Sequence, residues 1–259
     1  MSCGGISQEK ILSPENRDKE ISRRQAIGIL AVAGAGAMLG CGGGRLTTST
    51  TSTTTTSTAT GNAACILTPE LTVGPYFVDE KLNRSDLTTD TTDTNVTNGV
   101  PLTLQLFIMK YSSSGCTALS GAQVDVWHAD AGGVYSDESV EGTVGQTYLR
   151  GYQTTDSNGL VTFKTIFPGW YSGRTVHIHV MIRTFSSSGT QTFEFTTQLF
   201  FDPALTLTII GSAPYNTRGN PDTANATDNI YNSETLLTLA AATSGSGYTT
   251  SIAIGVQTA

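Results

Sequence analysis

Val176-His177-Ile178-His179-Val180-Met181-Ile182 alternates a pair of histidines with β-branched residues. Such a composition suits a pleated strand, whose successive side chains point to opposite faces. Val176, Ile178 and Val180 are therefore predicted to face a core. The imidazoles of His177 and His179 are predicted to stand side by side on the other face. Outward from this stretch the same pattern recurs. Leu160–Ile166 follows Asp156-Ser157-Asn158-Gly159, a hairpin-turn signal. Pro101–Met109 alternates Leu102, Leu104, Leu106 and Ile108 with Thr103 and Gln105, and Ala122–His128 alternates Val124 and Val126 with Gln123 and Asp125. Thr192–Phe201 and Thr249–Val256 are further strands, and helix is expected only over Ser233–Ala242. Many short strands separated by turn residues predict an all-β domain, a sandwich or a barrel.

The first part of the chain has a different character. Ser22-Arg23-Arg24-Gln25-Ala26-Ile27-Gly28 carries paired arginines, and an apolar run follows to Leu39. That run is shorter than the ~20 residues a bilayer span needs, and it has the length of a signal-peptide core. The pair resembles a twin-arginine export signal, with Ala26-Ile27 where two stronger apolar residues are usual. Met38-Leu39-Gly40-Cys41 resembles a lipobox, which would make Cys41 a lipidated first residue; the alternative is ordinary cleavage after a small residue. The tract from Thr47 to Thr60 is nearly all Thr and Ser and has nothing apolar to bury. The expected organisation is a signal segment over 1–40, a disordered Thr/Ser linker over 41–62 and a folded domain over 63–259. An exported location follows, periplasmic or at the cell surface. The net charge of −7 argues against a nucleic-acid partner, which would require a basic patch. Four cysteines without a CxxC do not form a zinc or redox motif. Cys65 and Cys116 fall in the domain, as a disulfide in an oxidising compartment or as two buried thiols.

Only three histidines occur: His128, His177 and His179. Two imidazoles on one strand face are a natural metal pair, but two histidines do not name the metal. Three-histidine zinc would need His128, and a ferrous site would need a carboxylate that the sequence does not single out. What lies near is phenol. Tyr171 follows Pro168-Gly169-Trp170, six residues before His177, and Tyr135 follows Gly132-Gly133-Val134. Phenolate is a hard anionic donor suited to a highly charged ion.

Five ordered blocks resemble the intradiol ring-cleavage dioxygenases: residues 68–77 (TPELTVGPYF), 121–135 (GAQVDVWHADAGGVY), 150–171 (RGYQTTDSNGLVTFKTIFPGWY), 174–180 (RTVHIHV) and 196–201 (TTQLFF). The resemblance covers about Cys65 to Pro203. It implies a β-sandwich core with long loops and one iron(III), Fe(3+), held by Tyr135, Tyr171, His177 and His179. It also implies a small aromatic diol and O2 as substrates. Tyr135 would be the equatorial tyrosinate and Tyr171 the axial one, which also acts as base. Arg174 would stabilise negative charge beside the reacting carbon, Gln198 would sit beside the metal, and Tyr76 would lie near the pocket mouth. The implied reaction cleaves the ring between its two hydroxylated carbons and yields a muconate-type diacid.

The sequence departs from the family in three ways. Only Ser172 to Val176 separate Tyr171 from the histidine pair, which is expected to leave the metal more open. The N-terminal helical dimerisation domain of the catechol-type enzymes is absent. Export is unusual for this chemistry. The segments Tyr215–Gly219 and Asp228–Tyr231 look like an exported branch of the family, or else like a covering loop. His128, after Trp127, either lines the pocket or is a polar group at a strand end. The rival reading is a non-catalytic, transthyretin-like binding module, which shares the Asp156–Phe163 pattern but lacks the histidine pair and the Ala131–Tyr135 turn.

Overall fold

Pro101–Ser112 forms β1, and its predicted alternation holds: Leu102, Leu104, Leu106 and Ile108 are each no more than 1% exposed. The computed structural model describes residues 66–91 and 97–258, so the predicted signal segment and linker lie outside the described residues. The other strands are β2 (Gly115–Ala118), β3 (Gln123–Trp127), β4 (Arg150–Thr154), β5 (Leu160–Ile166), β6 (His177–Phe185), β7 (Gln191–Phe200), β8 (Ala240–Ala241) and β9 (Tyr248–Val256). In one sheet β9 runs parallel to β1, while β5 and then β2 share the opposite side of β1 and β8 extends beyond β9. The second sheet runs β4-β3-β6-β7 and is antiparallel throughout. The apolar faces meet in one core, which joins Leu104 and Leu106 to Val161, Phe163, Val180 and Ile254. The chain is therefore an all-β sandwich with long loops.

The Asp156–Gly159 turn forms as predicted, because the Asp156 carboxylate accepts from the amides of Asn158 and Leu160, both at 2.8 Å. The helix does not form where it was expected. Ser233–Ala242 contains only a short 3-10 turn, Ser233–Thr235, followed by extended chain. The Leu237 amide donates to the Phe200 carbonyl at 2.8 Å, and Leu236 bridges to Phe200, so pairing with β7 overrides local helix propensity. The helix is instead α1, Pro203–Ile210. Its start was legible: Asp202 caps the Leu205 amide and Pro203 occupies the first turn. β4 has no period-two signal in the sequence, because its Gly-Tyr-Gln-Thr stretch has no apolar alternation. Cys116 is disulfide-bonded; Cys65, its partner in the disulfide alternative, lies outside the described residues.

β6 is the strand that positions the site. Ile178, Val180 and Ile182 enter the core, whereas His177, His179 and Met181 face away from it. On that outer face lies a second, smaller apolar cluster of Trp127, Ala129, Tyr135 and Met181, with Val73, Tyr76, Phe77 and Tyr171 packed against it.

Candidate metal centre

The strand period brings the two histidines together as predicted. Their Nε2 atoms are 3.0 Å apart, and the rings are buried, 3% and 1% exposed. His177 Nδ1 lies 2.6 Å from the Thr175 carbonyl, which can only accept, so Nδ1 carries the proton and Nε2 presents a lone pair. Register sets the rest of the frame. His179 pairs with Trp127 on β3 and Gln198 on β7, and the Trp127 indole stacks on the His179 ring at 4.8 Å. Burial and the nearby Arg174 cation push His177 down to about 3. Burial, and then the closeness of His177, with which it would have to share positive charge, hold His179 well below its ordinary value. Both imidazoles are thus neutral donors at physiological pH.

The two phenols come from two interlocked turns. Asp130 closes the first by accepting from the amides of Gly132 and Val134. The Gly169 amide, in the second, donates to the Asp130 carbonyl at 2.9 Å. Contact is so close that a Cβ on Gly133, at φ +79, would fall 2.0 Å from the Trp170 carbonyl oxygen. Only glycine tolerates both that approach and that backbone angle. Tyr135 is further held by Thr143, whose hydroxyl donates to its carbonyl at 2.6 Å, and by buried Arg150 bonding to Ser136. The Tyr171 hydroxyl lies 3.3 Å from His177 Nε2, and its ring meets that of Tyr135 edge-on at 5.8 Å. Tyr76 stacks on Tyr135 at 4.4 Å.

Burial raises both phenols, and the neighbouring Tyr171 adds to the rise at Tyr135. Arg174 works against the rise at Tyr171. The Tyr135 hydroxyl is buried with no hydrogen-bond partner among the described residues, as is His179 Nδ1. An orphaned buried hydroxyl costs about 1–3 kcal/mol and calls for a compensating ligand. The two Nε2 atoms, 3.0 Å apart, are likewise spaced as nitrogens that share one ion through bonds of about 2.1 Å. Among the described residues no cluster of three or more His, Cys, Asp or Glu offers an alternative metal site. Two imidazoles and two phenols are thus a donor set that fits a hard, highly charged cation.

Arg174 and Gln198 are also brought to the centre. One Arg174 guanidinium nitrogen is 3.5 Å from His177 Nε2, and another donates to Gln198 Oε1 at 2.5 Å. Gln198 in turn donates to the Thr72 carbonyl at 2.8 Å. His128 is not part of this group. It is wholly buried, with Nδ1 2.8 Å from the Ala129 carbonyl and Nε2 2.6 Å from Thr165 Oγ1, so both nitrogens are spent. That removes the third ligand required by the three-histidine zinc reading.

Tyr215–Gly219 and Asp228–Tyr231, together with the chain between them, form a segment that packs on the site. Arg218 donates to the Gly132 carbonyl, and its guanidinium lies 5.1 Å from the centroid of the Trp170 ring; Trp170 Nε1 donates to the Gly219 carbonyl. Asp222 accepts from the Ser172 hydroxyl and the Gly173 amide. Asp228 accepts from Arg174 and the Thr175 amide. One segment therefore braces both tyrosine turns and the short link before His177. The link, expected to leave the centre more open, is lined along its length by these two carboxylates.

The family model described as Dioxygenase matches residues 72–230. Among solved structures, an intradiol ring-cleavage dioxygenase from Tetranychus urticae is 29% identical, with a TM-score of 0.63, over 74% of this chain and 95% of that one. The dioxygenase domain of a dioxygenase–carbohydrate-binding protein fusion from Streptomyces sp. SirexAA-E is 31% identical, with a TM-score of 0.53, over 75% of this chain and 100% of that domain. The fold is also that of 3-chlorocatechol 1,2-dioxygenase from Rhodococcus opacus 1CP, at 22% identity and a TM-score of 0.55, over 74% of this chain and 73% of that one. No match was found among curated proteins. With its sandwich, its paired strand histidines and its interlocked tyrosine turns, this chain belongs to the intradiol ring-cleavage dioxygenase family.

Proposed function

We propose that the chain holds one iron(III) between Tyr135, Tyr171, His177 and His179 and opens a catechol-type ring between its two hydroxylated carbons with O2, giving a muconate-type diacid. The observation that carries this reading is the convergence of two neutral imidazole nitrogens, 3.0 Å apart, with the Tyr171 hydroxyl and the unpartnered Tyr135 hydroxyl. When bound, the ion draws electron density from a chelated diol and so prepares the ring carbon for O2.

The protein groups divide the remaining work. Tyr135 is 1% exposed and its backbone is pinned by Thr143, so it would be the ligand that stays in place, ionised by the bound cation. Tyr171 is less buried and sits beside the cation of Arg174, which favours its anionic form. It is the group placed to accept a substrate hydroxyl proton at its own phenol oxygen. Arg174 offers fixed positive charge where negative charge grows on the substrate. Gln198 fixes the outer edge of Arg174, and Tyr76 backs Tyr135 as one wall of the aromatic-lined site.

Export to an oxidising compartment, with lipidation at Cys41, accompanies this reading. Its support is the Arg23-Arg24 segment, the Met38–Cys41 motif and the disulfide at Cys116. Cell fractionation of wild type and Cys41→Ala tests it: retention of both proteins in the cytosol excludes export, and release of the variant from the membrane supports the anchor.

The deciding experiment is metal analysis of the purified full chain together with its visible spectrum. Tyrosinate on iron(III) gives a charge-transfer band. About one iron per chain and a band that shifts with added catechol are expected. A folded, colourless protein after iron loading overturns the reading in favour of a binding module.

A further inference from the structure

Arg174 is anchored at both ends of its guanidinium. Nε donates to Asp228 Oδ2 at 2.9 Å, while the far side meets Gln198 and faces His177 Nε2. The Asp228 carboxylate is 1% exposed and fully engaged: Oδ2 also accepts from the Thr175 amide at 2.9 Å, and Oδ1 accepts from the Ile230 amide at 2.8 Å. One carboxylate thus fixes the side chain of Arg174 and the backbone of Thr175, two residues before His177.

An arginine beside a multiply charged cation needs such an anchor. Its side chain has about 2 kcal/mol of rotamer entropy with which to swing away, and like charge pushes it outward. A buried counter-charge on Nε offsets that repulsion and leaves the two terminal nitrogens pointing inward. We propose that Asp228 is a positioning residue for ring cleavage, setting the direction in which Arg174 presents its charge to the reacting substrate. This rests on the dioxygenase reading, and it gives the 215–231 segment a role in turnover beyond covering the surface.

Two measurements test it. In the metal-free full chain, the Arg174 Nε–H resonance, assigned by its loss in Arg174→Lys, should exchange slowly with solvent. In Asp228→Asn it should exchange as fast as exposed arginines. In the iron-loaded chain, a double-mutant cycle separates positioning from mere folding. Asp228→Asn should lower kcat roughly 10- to 100-fold with a smaller change in KM, the scale seen for outer-shell partners. In an Arg174→Ala background the same substitution should cost less than about twofold, because the group it acts through is gone. Equal losses in both backgrounds overturn the proposal, and so does a costly Arg174→Ala beside an innocuous Asp228→Asn. An innocuous Arg174→Ala overturns the charge-stabilising role in the parent reading as well. Asp228→Ser enters the same cycle if the asparagine variant does not fold.

Discussion

His177 and His179 face each other across 3.0 Å of buried space, Nε2 to Nε2, with His177 Nδ1 committed to the Thr175 carbonyl. Two desolvated imidazole nitrogens in that relationship can share one cation. Iron loading should therefore raise the melting temperature, by the equivalent of about 2.7 kcal/mol at a hundredfold excess over Kd. His179→Ala should abolish the metal-dependent part of the stabilisation. A loaded variant that still gains the wild-type increment would remove His179 from the ligand set.

The two tyrosines should respond differently to loss of their hydroxyls. Tyr135 has a buried hydroxyl without a partner, so in the metal-free protein Tyr135→Phe should be neutral or stabilising by about 1 kcal/mol, while iron retention falls. Tyr171→Phe should keep the fold and lower kcat roughly 100-fold or more, since a proton acceptor is removed. Thermal melts of the metal-free variants, iron content and steady-state kinetics read these effects. Full activity in Tyr171→Phe would end its role as base.

Gly133→Ala should be among the most damaging substitutions of a single methyl in the described domain. Its Cβ would meet the Trp170 carbonyl oxygen at 2.0 Å, and φ is +79. Separating the two tyrosine turns should cost about 2 kcal/mol or more and weaken iron retention together with stability. Denaturant unfolding of the metal-free protein measures the first effect. A variant as stable as wild type would show that the turns are not locked together.

His128 gives a pH signature. Burial, with the Arg150 charge adding to it, lowers its pKa from 6.5 to about 4, despite a hydrogen bond to the Ala129 carbonyl that works the other way. Because the unfolded chain binds the proton more tightly, the neutral ring contributes stability that is present above about pH 6.5 and is lost progressively as pH falls toward 4. The contribution is about 3 kcal/mol at most. The stability gap between wild type and His128→Gln, measured on metal-free protein, should shift by up to that amount between pH 7 and 4 in favour of the variant. A gap that does not change with pH would mean that His128 binds its proton equally well in the folded and unfolded chains.

The sequence by itself determined the features that depend on neighbours along the chain. Alternation of Leu102 through Ile108, and of Val176 through Val180, is decided by the two-residue strand period. The same period puts His177 and His179 on one face before any tertiary contact is considered. The five family blocks supplied Tyr135, Tyr171, Arg174 and Gln198, and the structure brings all four to that face. Only the tertiary structure decided what comes to rest upon them. Helical composition at Ser233–Ala242 yields to a bond with Phe200, more than thirty positions away. The bracing of the site by Arg218, Asp222 and Asp228 joins groups 86, 50 and 54 residues apart in the chain. Strand direction is a property of local backbone sterics and is written locally. The choice of which carboxylate meets which arginine depends on the path of the intervening loops, and it has no periodic trace in the sequence.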